Sequence, residues 1–291
     1  MLDVFNLLED IYSKNLLVEL INGRIFGFEN IKLSRNDESY WKLRKNIKNL
    51  NIRGKNFHSS YGTLNYFDLT EKGIPILLIC DELNIMEIFC LQQYRYNHNI
   101  IIDAKRGDII LDAGGYVGDS ALYFAYKVGN TGGVYSFEFI PSLIKIFKKN
   151  LNLNPNLKDT IRIVEKPLWN CSSKELFYYD GGGGSKVSLK PIKTSNKLVK
   201  SITIDDFVAQ NKITHVDFIK MDIEGAEYNA LIGAKEVLKK YKPQLSIAIY
   251  HNMNHYHQIP RFINSLNLNY KFYLDHFNPH LVETILFAKV N

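Results

Sequence analysis

Six side chains able to hold a cation or move a proton stand at the ends of apolar runs: Asp112, Glu138, Asp222, Glu224, Glu227 and His251. Carboxylates so placed attract positive charge, and an imidazole among them has the side-chain pKa of a general base near neutrality. Asp112 opens the stretch Asp112-Ala113-Gly114-Gly115-Tyr116-Val117-Gly118-Asp119. Its glycines let a backbone come close to a ligand that a Cβ would hold off.

The ligand is constrained by what this turn lacks. A dinucleotide site wants G-x-G-x-x-G, and Ala113 stands at the first glycine. An acid directly before the turn also sits badly beside a pyrophosphate. A sulfonium carrying an α-amino group is the better match, which points to S-adenosylmethionine. Asp112 helps hold the cationic end, and Glu138, at the tip of the next apolar run, accepts hydrogen bonds from the two ribose hydroxyls. The bland reading is a glycine turn that only packs a helix on a sheet.

These residues need elements to position them. Ile109 to Leu111 reads as a buried strand, followed by helical spacing through Ala121, Leu122, Phe124, Ala125 and Val128 and a second strand from Val134 to Phe137. A helix from Pro141 to Leu151, a strand from Ile161 to Val164 and a helix from Ile204 to Gln210 capped by Thr203 come next. Then follow a strand from His215 to Asp222, a helix from Glu227 to Tyr241, a strand from Leu245 to Tyr250 and a helix from Tyr256 to Leu266. Two last strands lie near Tyr270 to Leu274 and Thr284 to Lys289. Strands alternating with helices predict a mainly parallel sheet covered on both faces. Between strands at Leu176 to Tyr179 and Lys186 to Leu189, Gly181-Gly182-Gly183-Gly184 predicts a mobile loop, either a lid over the substrate or a hairpin tip.

Residues 1 to about 55 read as helical, with a turn at Asn22-Gly23 and a basic cluster of Lys42, Arg44, Lys45, Lys48, Arg53 and Lys55. A solvated helix face accounts for that cluster, and contact with an anionic substrate is the alternative. A hairpin around Glu71-Lys72-Gly73 and a helical stretch from Ile85 to Tyr94 follow. The expected division is an accessory region at 1–87 and a catalytic domain at 88–291.

The totals exclude several classes. No apolar run reaches the length of a membrane span. The first residues carry Asp3, Glu9 and Asp10 with no basic region ahead of an apolar core, unlike a secretory signal. Cys80, Cys90 and Cys171 lack metal spacing, which makes a reducing cytoplasm the expected setting. A formal charge of +6 is too small to demand a nucleic-acid partner.

The glycine turn, Phe137-Glu138, the series Phe218-Ile219-Lys220-Met221-Asp222-Ile223-Glu224-Gly225-Ala226-Glu227 with Gly233-Ala234, and Ile249-Tyr250-His251 together resemble the FkbM family of S-adenosylmethionine-dependent methyltransferases. The similarity covers roughly residues 88 to 290. It implies a Rossmann-like, seven-stranded class I methyltransferase sheet with its last strand antiparallel, beside an N-terminal α+β accessory region. It also implies methyl transfer to a hydroxyl, with a sugar of a glycan, glycolipid or nucleotide sugar as acceptor. Matching the motifs residue by residue, Asp112, Gly114, Gly115, Tyr116, Gly118, Asp119, Glu138 and Phe139 fall at the donor site. Tyr116 stands where the family commonly has Asn, and Phe139 where it commonly has Pro.

Asp222, Glu224 and His251 are then the catalytic candidates. Asp222 can accept the hydroxyl proton, orient His251, or ligate a divalent metal together with His251 and Asn252. Glu224 and Glu227 have structural alternatives near the N-terminus of the following helix. Lys220, two residues before Asp222, points to the same side of its strand and can pair with an acid there. Two other functions compete: an RNA methyltransferase, and a donor-binding subunit of a glycan-assembly complex without catalysis of its own.

Overall fold

The computed structural model describes residues 1–27, 29–191 and 197–290, and the side chain of Arg53 lies outside that description. Its centre is a seven-stranded sheet. In chain order the strands are β1 (Ile109–Ala113), β2 (Gly133–Phe137), β3 (Ile161–Val164), β4 (Phe218–Met221), β5 (Gln244–Ala248), β6 (Tyr270–His276) and β7 (Thr284–Val290). Across the sheet they run β6-β7-β5-β4-β1-β2-β3. β1 to β5 pair in parallel where they are neighbours, and β7 runs antiparallel to both β5 and β6. The expected sheet, with its last strand reversed, is the one found. Strand order reverses at β1 and β4, and the crevice beyond their carboxyl ends is where a sheet of this kind takes a ligand.

Side chains alternate across β1 and β4 as the pleat requires. Ile110 and Phe218 enter one core with the helix Asp119–Val128, while Leu111, Ala113, Ile219 and Met221 enter the other with the helices Glu227–Ile232 and His255–Ser265. Ile110, Leu111, Phe218 and Ile219 have no exposed surface. Each such side chain stabilises the sheet by about 1.5–3 kcal/mol through burial alone.

The first 87 residues are tied to the sheet and to its covering helices. The helix Ile11–Phe26 lies along β6, with the Ser13 hydroxyl accepting from the Leu274 amide at 2.8 Å. The strand Leu77–Cys80 is tied to the helix Pro141–Leu153: Asn150 and Asn154 accept from the amides of Ile79 (2.7 Å) and Leu77 (2.9 Å). The expected boundary at 87 and 88 falls inside the π-helical stretch Ile85–Cys90, whose buried side chains belong to the sheet's own core.

Three local expectations are corrected. Asn22-Gly23 is mid-helix, because Leu281 and Leu33 pack within 3.1 and 3.3 Å of where a Cβ on Gly23 would sit. Asn51–Ser59 is a strand paired with Gly62–Asp68, so the helical reading ran too far. The helix expected from Glu227 to Tyr241 breaks at Gly233-Ala234, where a Gly233 Cβ would meet the Trp169 carbonyl at 2.4 Å. Asp205 restarts it by accepting from the amides of Glu236 and Val237.

Candidate active site

A polar row crosses the sheet just beneath the crevice. Parallel register aligns Ser246 with Lys220, Lys220 with Asp112, and Asp112 with Ser136. Asp112 and Lys220 are buried and 3.2 Å apart. The Asp112 carboxylate also accepts from the hydroxyls of Ser136 (2.6 Å) and Ser120 (3.0 Å). Lys220 donates onward to the carbonyls of Ala113 and Gly114, at 3.1 and 2.6 Å. The row therefore fixes the glycine turn from below, and Asp112 lines neither of the clefts above it. The expectation had put Asp112 against the cationic end of a donor; here its oxygens are occupied by the protein.

The turn is shaped by contacts no side chain would survive. Gly114 has φ +90°, and a Cβ on it would lie 1.9 Å from the Asp222 carbonyl oxygen. Gly118 also has φ +90°, against the ring of Phe147. Between them Tyr116 takes φ 44°, a left-handed conformation that is an outlier for a bulky residue and natural for Asn.

Two clefts open above the turn and share Gly114, Tyr116, Gly183, Asp222 and Glu224. The first is an open cleft between the glycine turn and the ends of β2 and β4. Its walls are Phe137, Phe139, Leu143, Leu168, Ile223 and Ala226, with Glu138 set among them. One Glu138 oxygen accepts from the amides of Phe139 and Ile140, at 2.7 and 2.8 Å. Burial raises this carboxyl to about 7, against the lowering effect of those amides. Phe139 lies edge-on to Tyr178 at 5.5 Å.

The second cleft, about 710 Å³, is lined by six carboxylates (Asp81, Glu87, Asp119, Asp222, Glu224 and Glu283) and one lysine, Lys220, already paired. Asp119 starts its helix and accepts from the Asn84 side chain at 2.6 Å, and burial raises it to about 6. Glu87 is raised to about 7, by burial first and by Asp81 and Asp222 nearby. Burial and the charges of Glu87 and Asp222 likewise push Glu283 well up.

Asp222, Glu224 and His251 meet at the ends of β4 and β5. His251 Nε2 faces Asp222 Oδ1 and Glu224 Oε1, each at 3.4 Å, and His251 Nδ1 donates to Glu227 Oε1 at 2.8 Å. Tyr94 donates to the other Asp222 oxygen at 3.2 Å. Glu224 holds φ 55° and Gly225 φ 97°, so a tight left-handed turn brings Glu224 back toward the histidine. Glu227 has no exposed surface and accepts from the amides of Ile223 and Gly225, which makes it a support for the cluster. Burial opposes the charged form of His251, but the carboxylates of Glu224, Glu227 and Asp222 outweigh it and raise the imidazole to about 11. The carboxylates around His251 thus favour its charged form over its neutral one. Asn252 is exposed and accepts from the Asn254 amide.

Sequence reasoning missed Tyr94, Asp81, Glu87 and Glu283. Asp81-Glu82 and Glu87 were visible as acids in an apolar stretch, but nothing in that stretch says it folds against the crevice. Glycines 181–184 form a turn at Gly182–Gly184 packed on Tyr61, and Gly183 lines both clefts. Tyr61 and Ser142 bond to Asp180 at the base of that turn. In the basic cluster Arg44 pairs with Glu82 at 3.2 Å, and the Lys42, Lys45, Lys48 and Lys55 side chains line neither cleft. No helix among the described residues is long and apolar enough to cross a membrane.

Comparison with known proteins agrees with this geometry. The model of the methyltransferase FkbM domain matches residues 112–272, more than half of the chain. The solved structure of methyltransferase FkbM from Methylobacillus flagellatus KT superposes on 98% of this chain with a TM-score of 0.60 and 17% identity. This chain spans 57% of that structure's length. An S-adenosylmethionine-dependent O-methyltransferase from Thermotoga maritima aligns over 81% of this chain and 85% of its own, at 16% identity and a TM-score of 0.42. No curated protein sequence matches. A match to the family model over more than half of this chain, on the expected sheet, makes it a member of the methyltransferase FkbM family.

Proposed function

We propose that the chain methylates a hydroxyl group on an uncharged sugar of a glycan or glycolipid. The observation that carries this reading is the pair of joined clefts: a largely apolar slot that holds Glu138 and shares Asp222 and Glu224 with a chamber lined by six acidic side chains. These residues fit the donor. Glu138 is placed to accept from ribose hydroxyls, the apolar walls beside it suit a purine ring, and the acidic chamber favours the sulfonium and α-amino charges. When bound, S-adenosylmethionine supplies a methyl group on positively charged sulfur, already activated for transfer to oxygen.

The chain's own residues must then position the acceptor and take its proton. Asp222 lines both clefts, so its carboxylate is the group we assign to receive the hydroxyl proton as the oxygen bonds to the methyl carbon and the carbon–sulfur bond breaks. Tyr94 and His251 hold Asp222 from opposite sides. Glu227 holds His251. The chamber's lining supports a neutral acceptor over a nucleotide sugar or RNA, because its one lysine, Lys220, is already paired with Asp112 and no arginine lines it to receive a phosphate.

A labelled-methyl assay on neutral oligosaccharides, glycolipids, nucleotide sugars and tRNA tests this. Label is expected on neutral sugars, and Asp222→Asn is expected to lower kcat by about 100-fold or more, the usual worth of a positioned acid–base group. Label on tRNA alone, or an Asp222→Asn variant as fast as wild type, would overturn the reading.

A further inference from the structure

The cluster at the ends of β4 and β5 contains a donor atom that the protein leaves unsatisfied. The His251 side chain is 8% exposed, its Nδ1 is engaged by Glu227, and its Nε2 is sealed from water with no hydrogen-bond partner. Opposite Nε2 are Asp222 Oδ1 and Glu224 Oε1 at 3.4 Å each. One atom from each of the three residues falls within 4.8 Å of the others. The ammonium nearest in the fold, Lys220, is committed to Asp112 and the turn.

We propose that Asp222, Glu224 and His251 bind one divalent cation of the Mn²⁺ or Mg²⁺ kind. Around an octahedral ion with bonds of about 2.1 Å, adjacent ligands lie about 3 Å apart, so the two 3.4 Å contacts of His251 Nε2 need adjustments of only a few tenths of an ångström. Two carboxylates with one imidazole suit such ions better than softer ones. The Glu227-to-His251 hydrogen bond supplies what a metal-binding imidazole needs from behind: it fixes the ring and leaves the Nε2 lone pair toward the ion. The left-handed turn at Glu224 has the same consequence. Non-glycine residues adopt that conformation at a cost of about 1–3 kcal/mol, and here it turns a carboxylate inward that would otherwise point to solvent.

The ion's existence rests on this geometry alone; its role rests on the methyltransferase reading. A carboxylate is a poor base for an alcohol, whose pKa is far higher. An ion between Asp222 and Glu224, both lining the acidic chamber, would lower the pKa of a hydroxyl that binds it. The hydroxyl proton would still leave to Asp222 Oδ2, the oxygen turned away from the ion and held by Tyr94.

The test is a Mn²⁺ titration of chelator-stripped protein, following the free aquo ion by electron paramagnetic resonance. One saturable site per chain is expected, weakened about tenfold or more in Glu224→Gln and in His251→Gln. Glu87→Gln, in the same chamber but outside the three-residue cluster, is expected to weaken binding far less. Glu224 is 32% exposed, so its variant carries the test if His251→Gln fails to fold. Absence of saturable binding, or equal weakening by Glu87→Gln, would overturn the proposal. S-adenosylhomocysteine binding by the stripped protein is read separately: its loss would count against the donor site and not against the ion.

Discussion

At the scale of single residues, environment decides role more than residue type does. Glu138 illustrates this with a measurable pH signature. Its carboxyl is raised from 4.5 to about 7, chiefly by burial. A raised carboxyl favours the folded state most below the unfolded value, and that contribution is lost as pH rises through about 7. Denaturant unfolding should therefore show Glu138→Gln gaining on the wild type between pH 5 and pH 8, by up to about 3 kcal/mol. The glutamine oxygen can still accept from the Phe139 and Ile140 amides, which keeps the comparison clean. Equal stability differences at the two pH values would show that burial does not control this group. Asp112 and His251 teach the same lesson: one is consumed by Ser120, Ser136 and Lys220, the other is drawn toward its charged form by the carboxylates that surround it.

At the scale of elements, the row Ser246, Lys220, Asp112 and Ser136 links sheet register to the shape of the glycine turn. Removing one charge of a buried pair costs about 3–5 kcal/mol, whereas replacing both can be nearly neutral. Asp112→Ala is thus expected to lose stability on that scale, with Lys220→Met in the same chain restoring most of it. Thermal or chemical unfolding of the single and double variants checks this, and simple additivity would deny the coupling. The strand–turn–helix unit around Asp112 was legible because an apolar run, three glycines and helical spacing adjoin in sequence. The Thr203 cap and the strand Ile161–Val164 were legible for the same reason, local signals agreeing. What local signals cannot give is register. Nothing in the sequence says that Lys220 stands level with Asp112, or that Glu227 reaches across to His251 from 24 positions away. The strand Asn51–Ser59 and the break at Gly233 failed to show for a related reason, since pairing partners and the Trp169 carbonyl set them.

At the scale of the whole molecule, the first 87 residues are one wall of the active site. Asp81, Asn84 and Glu87 line the acidic chamber, and Tyr61 packs on the glycine turn that borders both clefts. Family membership follows from residues 112–272, whereas the second cleft is lined partly by residues outside them. All of this depends on a donor seated between Glu138 and the carboxylate chamber. Calorimetric titration with S-adenosylhomocysteine measures that most directly. Wild type is predicted to bind at one site, and Glu138→Ala to bind about tenfold or more weakly, as befits losing hydrogen bonds to a charged group. No binding by the wild type, or undiminished binding by Glu138→Ala, would contradict the account.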